Sequence, residues 1–201
     1  MALCTVAEAQ AQIPGVSGTA EEAILTDLIA RVGPALARIC GFPPASAGAA
    51  PTMESASYTR YLDGPAFNAP RELDLGLRPV TAITSIHDDS LWAYGSATLV
   101  DSGDYVLSAD EGRVLLTPSA THLWTTGRRN IKVVCTGGYA TVPDDLTHAA
   151  VMTVAHRWRL RTRLGRTAQS DARGNSQAAP ETIPAAAREL LSPFMLAEAY
   201  V

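Results

Sequence analysis

The hydrophobic positions between residues 19 and 41 recur with the period of an α-helix. At about 100° per residue, one broad face collects seven apolar side chains: Ile24, Leu25, Leu28, Ile29, Val32, Leu36 and Ile39. Thr19 and Glu22 have the spacing of a capping box at the start of this segment, and Gly41 suits its end. Because the apolar face stays in phase across Gly33-Pro34, the pattern predicts one kinked helix instead of two.

A shorter helix is predicted upstream, because Thr5 and Glu8 form a second capping box and Pro14-Gly15 ends the segment. We therefore assign residues 1–41 to N-terminal helices. Residues 42–54 are rich in Pro, Ala, Ser and Gly, and the first eleven of them carry no charge, which predicts a linker.

After the linker, the sequence consists of short segments in which hydrophobic and polar residues partly alternate, and Gly, Pro, Asp and Asn lie between these segments. Such spacing is typical of antiparallel strands joined by tight turns. We predict strands near residues 57–62, 71–75, 80–86, 98–100, 105–108, 113–116 and 130–136. Together they form an antiparallel β lobe over residues 55–142.

Pro143 begins a second long helical pattern, which runs through about Leu164 and ends at Gly165. We assign residues 143–165 to a long helix that packs on the N-terminal helices. Residues 166–201 form a tail. Its first part, to about residue 179, is polar and expected to be mobile, and a short final helix follows, which Pro193 interrupts. The order helix, sheet, helix, tail predicts an α+β fold.

Composition supports one full hydrophobic core without crosslinks, since 47% of the 201 residues are hydrophobic. Cys4, Cys40 and Cys135 are odd in number and far apart, which fits a reducing compartment and argues against a disulfide framework or a zinc ribbon. No apolar run approaches the roughly 18 to 20 residues of a membrane helix. We therefore expect a soluble, cytoplasmic chain at synthesis, without a membrane partner.

Candidate catalytic and metal-binding residues are few. His148, Met152 and His156 share a helix face, but no third ligand joins them at helical spacing. The pair Asp88-Asp89 is expected to point apart, and Asp144-Asp145 lies in the first turn of a helix, where negative charge offsets the helix dipole. No nucleophile elbow, phosphate loop or zinc motif occurs. We predict no catalytic residue, metal or cofactor; a small enzyme without a recognisable motif stays an alternative.

Arginine is concentrated at the end of the predicted long helix. Spacing of four places Arg157 and Arg161 on one stripe, and Arg159 and Arg163, with Arg166 nearby, on roughly the opposite one. Trp158 lies between the stripes on one side, and Leu160 and Leu164 lie on the other. Such a cluster complements the helix dipole in solvent, contacts acidic surfaces of neighbouring subunits, or binds phosphates of nucleic acid.

The charge balance bears on this choice. Net charge is −4, and residues 61–142 contain nine acidic and six basic residues, so the chain itself offers acidic partners for the arginines. A nucleic-acid-binding regulator that uses the Arg157–Arg166 helix stays an alternative, although neither a helix-turn-helix pair nor a basic domain is present.

Three segments carry a resemblance to a known family. Residues 138–146 read Gly-Tyr-Ala-Thr-Val-Pro-Asp-Asp-Leu and lead into an alanine-rich helix that ends in Trp158 and arginines. The segment Leu73–Ile86 precedes them, and the ending Leu190-Leu191-Ser-Pro193-Phe194 follows. In this order, over nearly the whole chain, the sequence resembles the head–tail adaptor (connector, or head-completion) proteins of tailed bacteriophages and gene-transfer particles.

The resemblance implies a structural virion protein and no enzyme. Such adaptors form a ring, commonly a dodecamer, under the portal protein in the neck, and they attach the stopper or tail-completion protein while DNA passes through the channel as cargo. Before assembly the chain would reside in the host cytoplasm. The arginine cluster with Trp158, and Leu190, Leu191 and Phe194 near the C-terminus, would contact neighbouring subunits or the portal.

Overall fold

The computed structural model describes residues 3–13, 15–16, 18–65, 71–161, 169–170, 176–177 and 182–196. The chain forms two compact units: Met1–Leu36 with Val142–Met195, and Ala37–Thr141 with Leu196–Val201. The first unit is mainly helical, and the second contains two three-stranded antiparallel sheets. The predicted α+β class, with an N-terminal helix and a central β lobe, is confirmed.

Four helices are described: α1 (Val6–Ala11), α2 (Thr19–Ile39), α3 (Asp144–Leu160) and α4 (Ala185–Leu191), the last followed by a 3₁₀ turn at Ser192–Phe194. Helix α3 packs against α1 and α4. At the start of α1 both bonds of the predicted capping box form. The Glu8 N–H donates to Thr5 Oγ1 (3.2 Å), and the Thr5 N–H donates to Glu8 Oε2 (2.7 Å).

Helix α2 continues through Pro34, which confirms a single helix. Gly41, with φ of +82°, terminates it in a Schellman motif: the Phe42 N–H donates to Ala37 O (2.9 Å) and the Gly41 N–H to Arg38 O (3.1 Å).

The buried face of α2 is narrower than the predicted stripe. Its buried members are Leu25, Ile29, Val32 and Leu36. Leu28 is half-buried, and Ile24 and Ile39, at the two edges of the stripe, are exposed.

The second unit contains two three-stranded antiparallel sheets. In the larger sheet the order is β1 (Ala56–Gly64), β6 (Gly127–Gly137) and β3 (Val80–Asp88), and in the smaller it is β2 (Glu72–Asp74), β5 (Arg113–Leu116) and β4 (Tyr105–Ser108). The central strand β6 buries alternate residues, Ile131, Val133 and Cys135, as a strand with one face on a core must. Tyr58 is fully buried, and its hydroxyl donates to Thr52 O (3.0 Å).

Six of the seven predicted strand segments coincide with strands, and the segment 98–100 does not. A 3₁₀ turn occupies Ser96–Thr98, and Leu99 forms only an isolated bridge with His87. The apolar alternation there is too short to extend into a ladder, because a second turn begins at once, where Asp101 accepts from the Gly103 N–H (2.7 Å). Between the N-terminal helices and β1, residues 42–54 contain a bridge from Pro44 to Pro51 and the buried side chain of Met53.

The C-terminal part is described in pieces. Helix α3 ends at Leu160, with Arg161 at the C-cap, so the predicted extension to Leu164 falls outside the described residues. Two-residue strands at Gln169–Ser170 and Ser176–Gln177 pair with each other, and the predicted mobility of the surrounding tail also lies outside the described residues. In the part of the chain that the structure describes, no helix is long and apolar enough to span a bilayer.

Candidate interface surfaces

The end of α3 gives its arginines three different environments. The Arg161 guanidinium carbon lies 3.6 Å from the centroid of the Trp158 ring, a cation–π contact. Arg159 is exposed and donates from Nη2 to the carbonyl of Gln12 (3.4 Å), the C-cap residue of α1. Arg157 is half-buried, and Arg163 and Arg166 lie outside the described residues. Arg159 and Arg161 therefore offer positive charge to solvent at the C-terminus of a helix.

The apolar residues predicted beside this cluster belong largely to the core. Trp158 is 7% exposed and Leu191 is fully buried where α4 packs on α3, so in this conformation neither offers a surface to a partner. Leu190 and Phe194 are half-buried. Among the described residues predicted to contact a partner, Arg159 and Arg161 are thus exposed, whereas Arg157, Leu190 and Phe194 are half-buried.

The candidate acids Asp88 and Asp89 have structural roles. Asp88 accepts from the Thr125 N–H (2.7 Å) and from Asn130 Nδ2 (3.1 Å), and it lies 3.2 Å from His122 Nε2. Its neighbour Asp89 bonds to a different loop, so the two carboxylates point apart as predicted. In the described part of the chain, no three side chains among His, Cys, Asp and Glu are grouped to hold a metal ion.

The three cysteines are buried free thiols. Burial, together with the nearby Glu8 carboxylate, raises the pKa of Cys4 to about 11, and burial alone raises the pKa of Cys40 to about 11. Burial also raises the pKa of Cys135, which lies in β6. Thiols with such raised pKa values stay protonated near neutral pH, so these residues act as core side chains and not as nucleophiles.

One end of the larger sheet, where β6 begins, carries a surface that the sequence patterns did not predict. Five of the eight exposed large apolar side chains among the described residues lie there: Tyr61, Leu91, Trp92, Leu99 and Leu123. Strand pairing and the bonds of neighbouring residues place them together, because Tyr61 pairs with Lys132, Leu99 bridges His87, and Asp88 holds the segment after Leu123. We call these five residues the aromatic end.

The loop after β3 is held in a defined conformation by Asp89. Its carboxylate accepts from the backbone N–H groups of Leu91 (2.8 Å) and Tyr94 (2.7 Å). The N–H of Leu91, then those of Tyr94 and Ala93, lower the pKa of the Asp89 carboxyl against the opposing effect of burial. This bonding presents Leu91 and Trp92 to solvent, 85% and 62% exposed.

The same end carries the exposed basic residues Arg128 and Arg129 and the half-buried Lys132. The Arg129 guanidinium lies 5.2 Å from the Tyr61 ring centroid, and the Lys132 ammonium lies 5.6 Å from that of Tyr94. The Trp92 indole N–H donates to Arg128 O (3.0 Å), and the Tyr94 hydroxyl donates to Arg129 O. The loop is thus fastened to the start of β6.

The sequence contains two short clusters that belong to this surface, the apolar pair Leu91-Trp92 and the basic pair Arg128-Arg129, which lie about 36 residues apart. Both stretches lie between predicted strands, and the pairing of β3 with β6 that brings them together is a long-range contact. Periodicity within either stretch contains no information about that pairing.

No protein-family model matches the chain, and no curated protein matches its sequence. Eight chains of solved structures match it. A chain from the neck of an empty gene transfer agent (GTA) particle computed with C6 symmetry has a TM-score of 0.60 at 20% identity, covering 96% of this chain and 90% of that one.

A chain from the virion of a native GTA particle has a TM-score of 0.57 at 20% identity, with the same coverage, 96% and 90%. A chain from the neck of a native GTA particle computed with C12 symmetry has a TM-score of 0.54 at 21% identity, covering 95% and 87%. Over nearly its whole length, this chain has the fold found in chains of GTA necks and virions.

Proposed function

We propose that this chain is a structural protein of the neck of a phage-like particle, a head–tail adaptor that forms a ring under the portal and joins the DNA-filled capsid to the tail. The observation that carries the proposal is the shared fold, which extends over 96% of this chain and 90% of a chain from a GTA neck. A match of this extent includes both units, so the whole chain, and not one module of it, has the architecture of a neck component.

The ring and its partners extend the proposal. Two of the similar chains come from necks computed with C6 and C12 symmetry, which favours assembly of this chain in several copies around an axis. DNA passes through the channel as cargo. The portal protein binds on one side and a stopper or tail-completion protein on the other. The chain resides in the neck of the virion and, before assembly, in the host cytoplasm.

The described contacts favour this function over the two alternatives. A nucleic-acid-binding regulator needs a helix with a free face for the major groove. In α3, however, Trp158 is buried and Arg159 donates to Gln12 O within the same unit. The pair Asp88-Asp89, which could have served as a catalytic acid and base, does not share a site, because each carboxylate fastens a separate loop.

The experiment that tests the proposal is deletion of the gene from a particle-producing strain, followed by complementation. We expect the wild-type chain to be present in purified particles at several copies per particle by quantitative mass spectrometry. Its loss should give DNA-filled or leaking heads and separate tails in electron micrographs. Joined, infectious particles that lack the chain would refute the proposal.

A further inference from the structure

The aromatic end has the properties of a contact surface that the proposed function leaves unassigned. Leu91 and Trp92 point into solvent, and exposed apolar clusters of this kind mark binding surfaces. Three non-glycine residues among the described ones have positive φ, and all three lie in the aromatic end or beside it: Trp92 (+60°), Tyr94 (+48°) and Arg129 (+51°). A left-handed backbone conformation is strained at bulky residues. The hydrogen bonds around Trp92 and Tyr94 therefore hold the backbone in a conformation that these residues disfavour by themselves.

An acidic turn lies at the opposite end of the same sheet. The turn joins β4 to β5, and its residues Asp110 and Glu111 are exposed. The Val80 N–H donates to Ala109 O (3.0 Å), and Val80 pairs with Gly137, the last residue of β6. Arg129 is near the first residue of that strand, so Arg129 and the acidic turn lie about 26 Å apart at roughly 3.3 Å per residue.

A cavity of about 230 Å³ adjoins this turn. Leu77 and Leu196 give it apolar surface, and Asp74 and Glu111 give it carboxylates. Two arginines also line it, of which Arg113 is paired with Asp74 (4.0 Å). The cavity is smaller than the roughly 300 to 1,000 Å³ of small-molecule pockets, yet it has room for one large side chain such as an indole.

We propose that the aromatic end of one copy of this chain docks on the acidic turn and cavity of the next copy. The occupant is a second copy because the two surfaces complement each other in charge and in polarity. Arg128, Arg129 and Lys132 oppose Asp110 and Glu111, and Leu91 or Trp92 opposes the cavity.

A contact between two different surfaces at opposite ends of one unit is head-to-tail, and repetition about an axis closes a ring. The inference rests on the proposed function in one respect, since it assumes that copies lie side by side in the neck.

Crosslinking tests the geometry. We would prepare the full chain as Arg128→Cys and as Asp110→Cys, both at exposed positions, and treat it with a short bismaleimide. The three native cysteines are buried and serve as the internal background. Mixing the two variants should give crosslinked dimers, either variant alone should give none, and a chain with both substitutions should give a ladder. A mixture of Arg31→Cys with Asp110→Cys is the matched control and should give none.

Charge reversal tests the energetics in the same full chain. Arg128→Glu with Arg129→Glu should weaken self-association at least about tenfold in sedimentation velocity, because like charges then meet across the contact. Adding Asp110→Arg and Glu111→Arg to that chain should restore association. Arg31→Glu with Arg38→Glu changes the same number of exposed arginines on α2 and should leave association unchanged.

Two outcomes would overturn the inference. One is self-association of the Arg128/Arg129 reversal variant as strong as that of the wild-type chain; if that variant is also lost from particles, the aromatic end contacts a different neck protein. The other is absence of the crosslinked ladder both in concentrated protein and in particles. If the wild-type chain were missing from particles, the proposed function would fail, and crosslinking of the purified chain would still decide the contact.

Discussion

Single residues hold the backbone of the second unit where its central strand ends. Gly138, directly after β6, has φ of +89°, and a Cβ there would lie 2.4 Å from the Glu54 carbonyl oxygen. Its N–H donates to Pro79 O (2.9 Å), and the next N–H, of Tyr139, donates to Met53 O (2.8 Å). Glycine is required on both counts, because a side chain would meet backbone atoms and the left-handed conformation disfavours other residues.

Gly138→Ala should therefore lower the free energy of unfolding by about 2 to 4 kcal/mol, from backbone strain together with the steric clash. Gly95→Ala is the matched control. A Cβ at Gly95 would meet nothing within 4 Å, and φ there is −75°, so we expect a change within about 0.5 kcal/mol. Urea denaturation of the two variants measures the difference, and equal stabilities would contradict the described geometry.

Asp89 makes the aromatic end sensitive to acid. The backbone N–H bonds that lower the pKa of its carboxyl also mean that the ionised form stabilises the folded loop. That stabilisation is fully present above the unfolded pKa of about 3.9 and is lost as pH falls through the lower, folded value. The NMR resonance of the Trp92 indole N–H, which donates to Arg128 O, should stay fixed down to about pH 4 and move below it.

The variant Asp89→Asn gives the control for this titration. An amide keeps one acceptor oxygen where the carboxylate has two, so the loop should be loosened at every pH and the acid-dependent step should disappear. An unchanged step in this variant would assign the titration to another group.

At the scale of elements, the period of the hydrophobic positions and the turn residues between segments predicted most helices and strands. They did not predict how wide the buried face of each element is. The stripe of α2 was predicted from seven apolar positions, and the packing around it covers only part of that face. Similarly, alternation at 98–100 predicted a strand, where the structure has a turn and one bridge. Both differences arise because periodicity shows which residues can be buried together, and neighbouring elements decide which are.

Two substitutions on α2 separate the buried face from its edge. Leu25 is fully buried, so Leu25→Ala should cost about 2 to 5 kcal/mol of unfolding free energy through lost burial and a cavity. Ile24 is 47% exposed, and Ile24→Ala should change stability by no more than about 0.5 kcal/mol. Chemical denaturation followed by circular dichroism measures both. A small loss at Leu25 would mean that this face is not core in the free protein.

At the scale of the whole molecule, the arginines at the end of α3 are predicted to act in assembly. Arg157→Glu with Arg161→Glu should leave the chain folded, because Arg161 is exposed, Arg157 is only half-buried, and charges that reach solvent contribute little to stability. The cation–π contact of Arg161 with Trp158 is worth about 0.5 to 1 kcal/mol. Incorporation of the chain into particles should fall sharply. The control pair Arg31→Glu and Arg38→Glu should be incorporated normally.

Binding of duplex DNA gives the contrasting result. A channel through which DNA slides should not bind DNA tightly. The free wild-type chain should therefore show no binding of duplex DNA at protein concentrations below micromolar near physiological salt. Sub-micromolar affinity that falls steeply with salt and is lost in the Arg157/Arg161 variant would favour the nucleic-acid-binding regulator. Fluorescence anisotropy across a salt series distinguishes the two.

The sequence by itself determined the α+β class, the capping of α1, the single helix across Pro34 and the end of α2 at Gly41, because each depends on residues within a few positions of one another. It also identified a cationic end on α3. Tertiary structure alone decided that Trp158 and Leu191 are core residues, since burial of a helix face requires other helices to pack on it, and here α1 and α4 pack on α3. It also decided that Leu91-Trp92 and Arg128-Arg129 form one surface, because long-range strand pairing brings together residues that are distant along the chain.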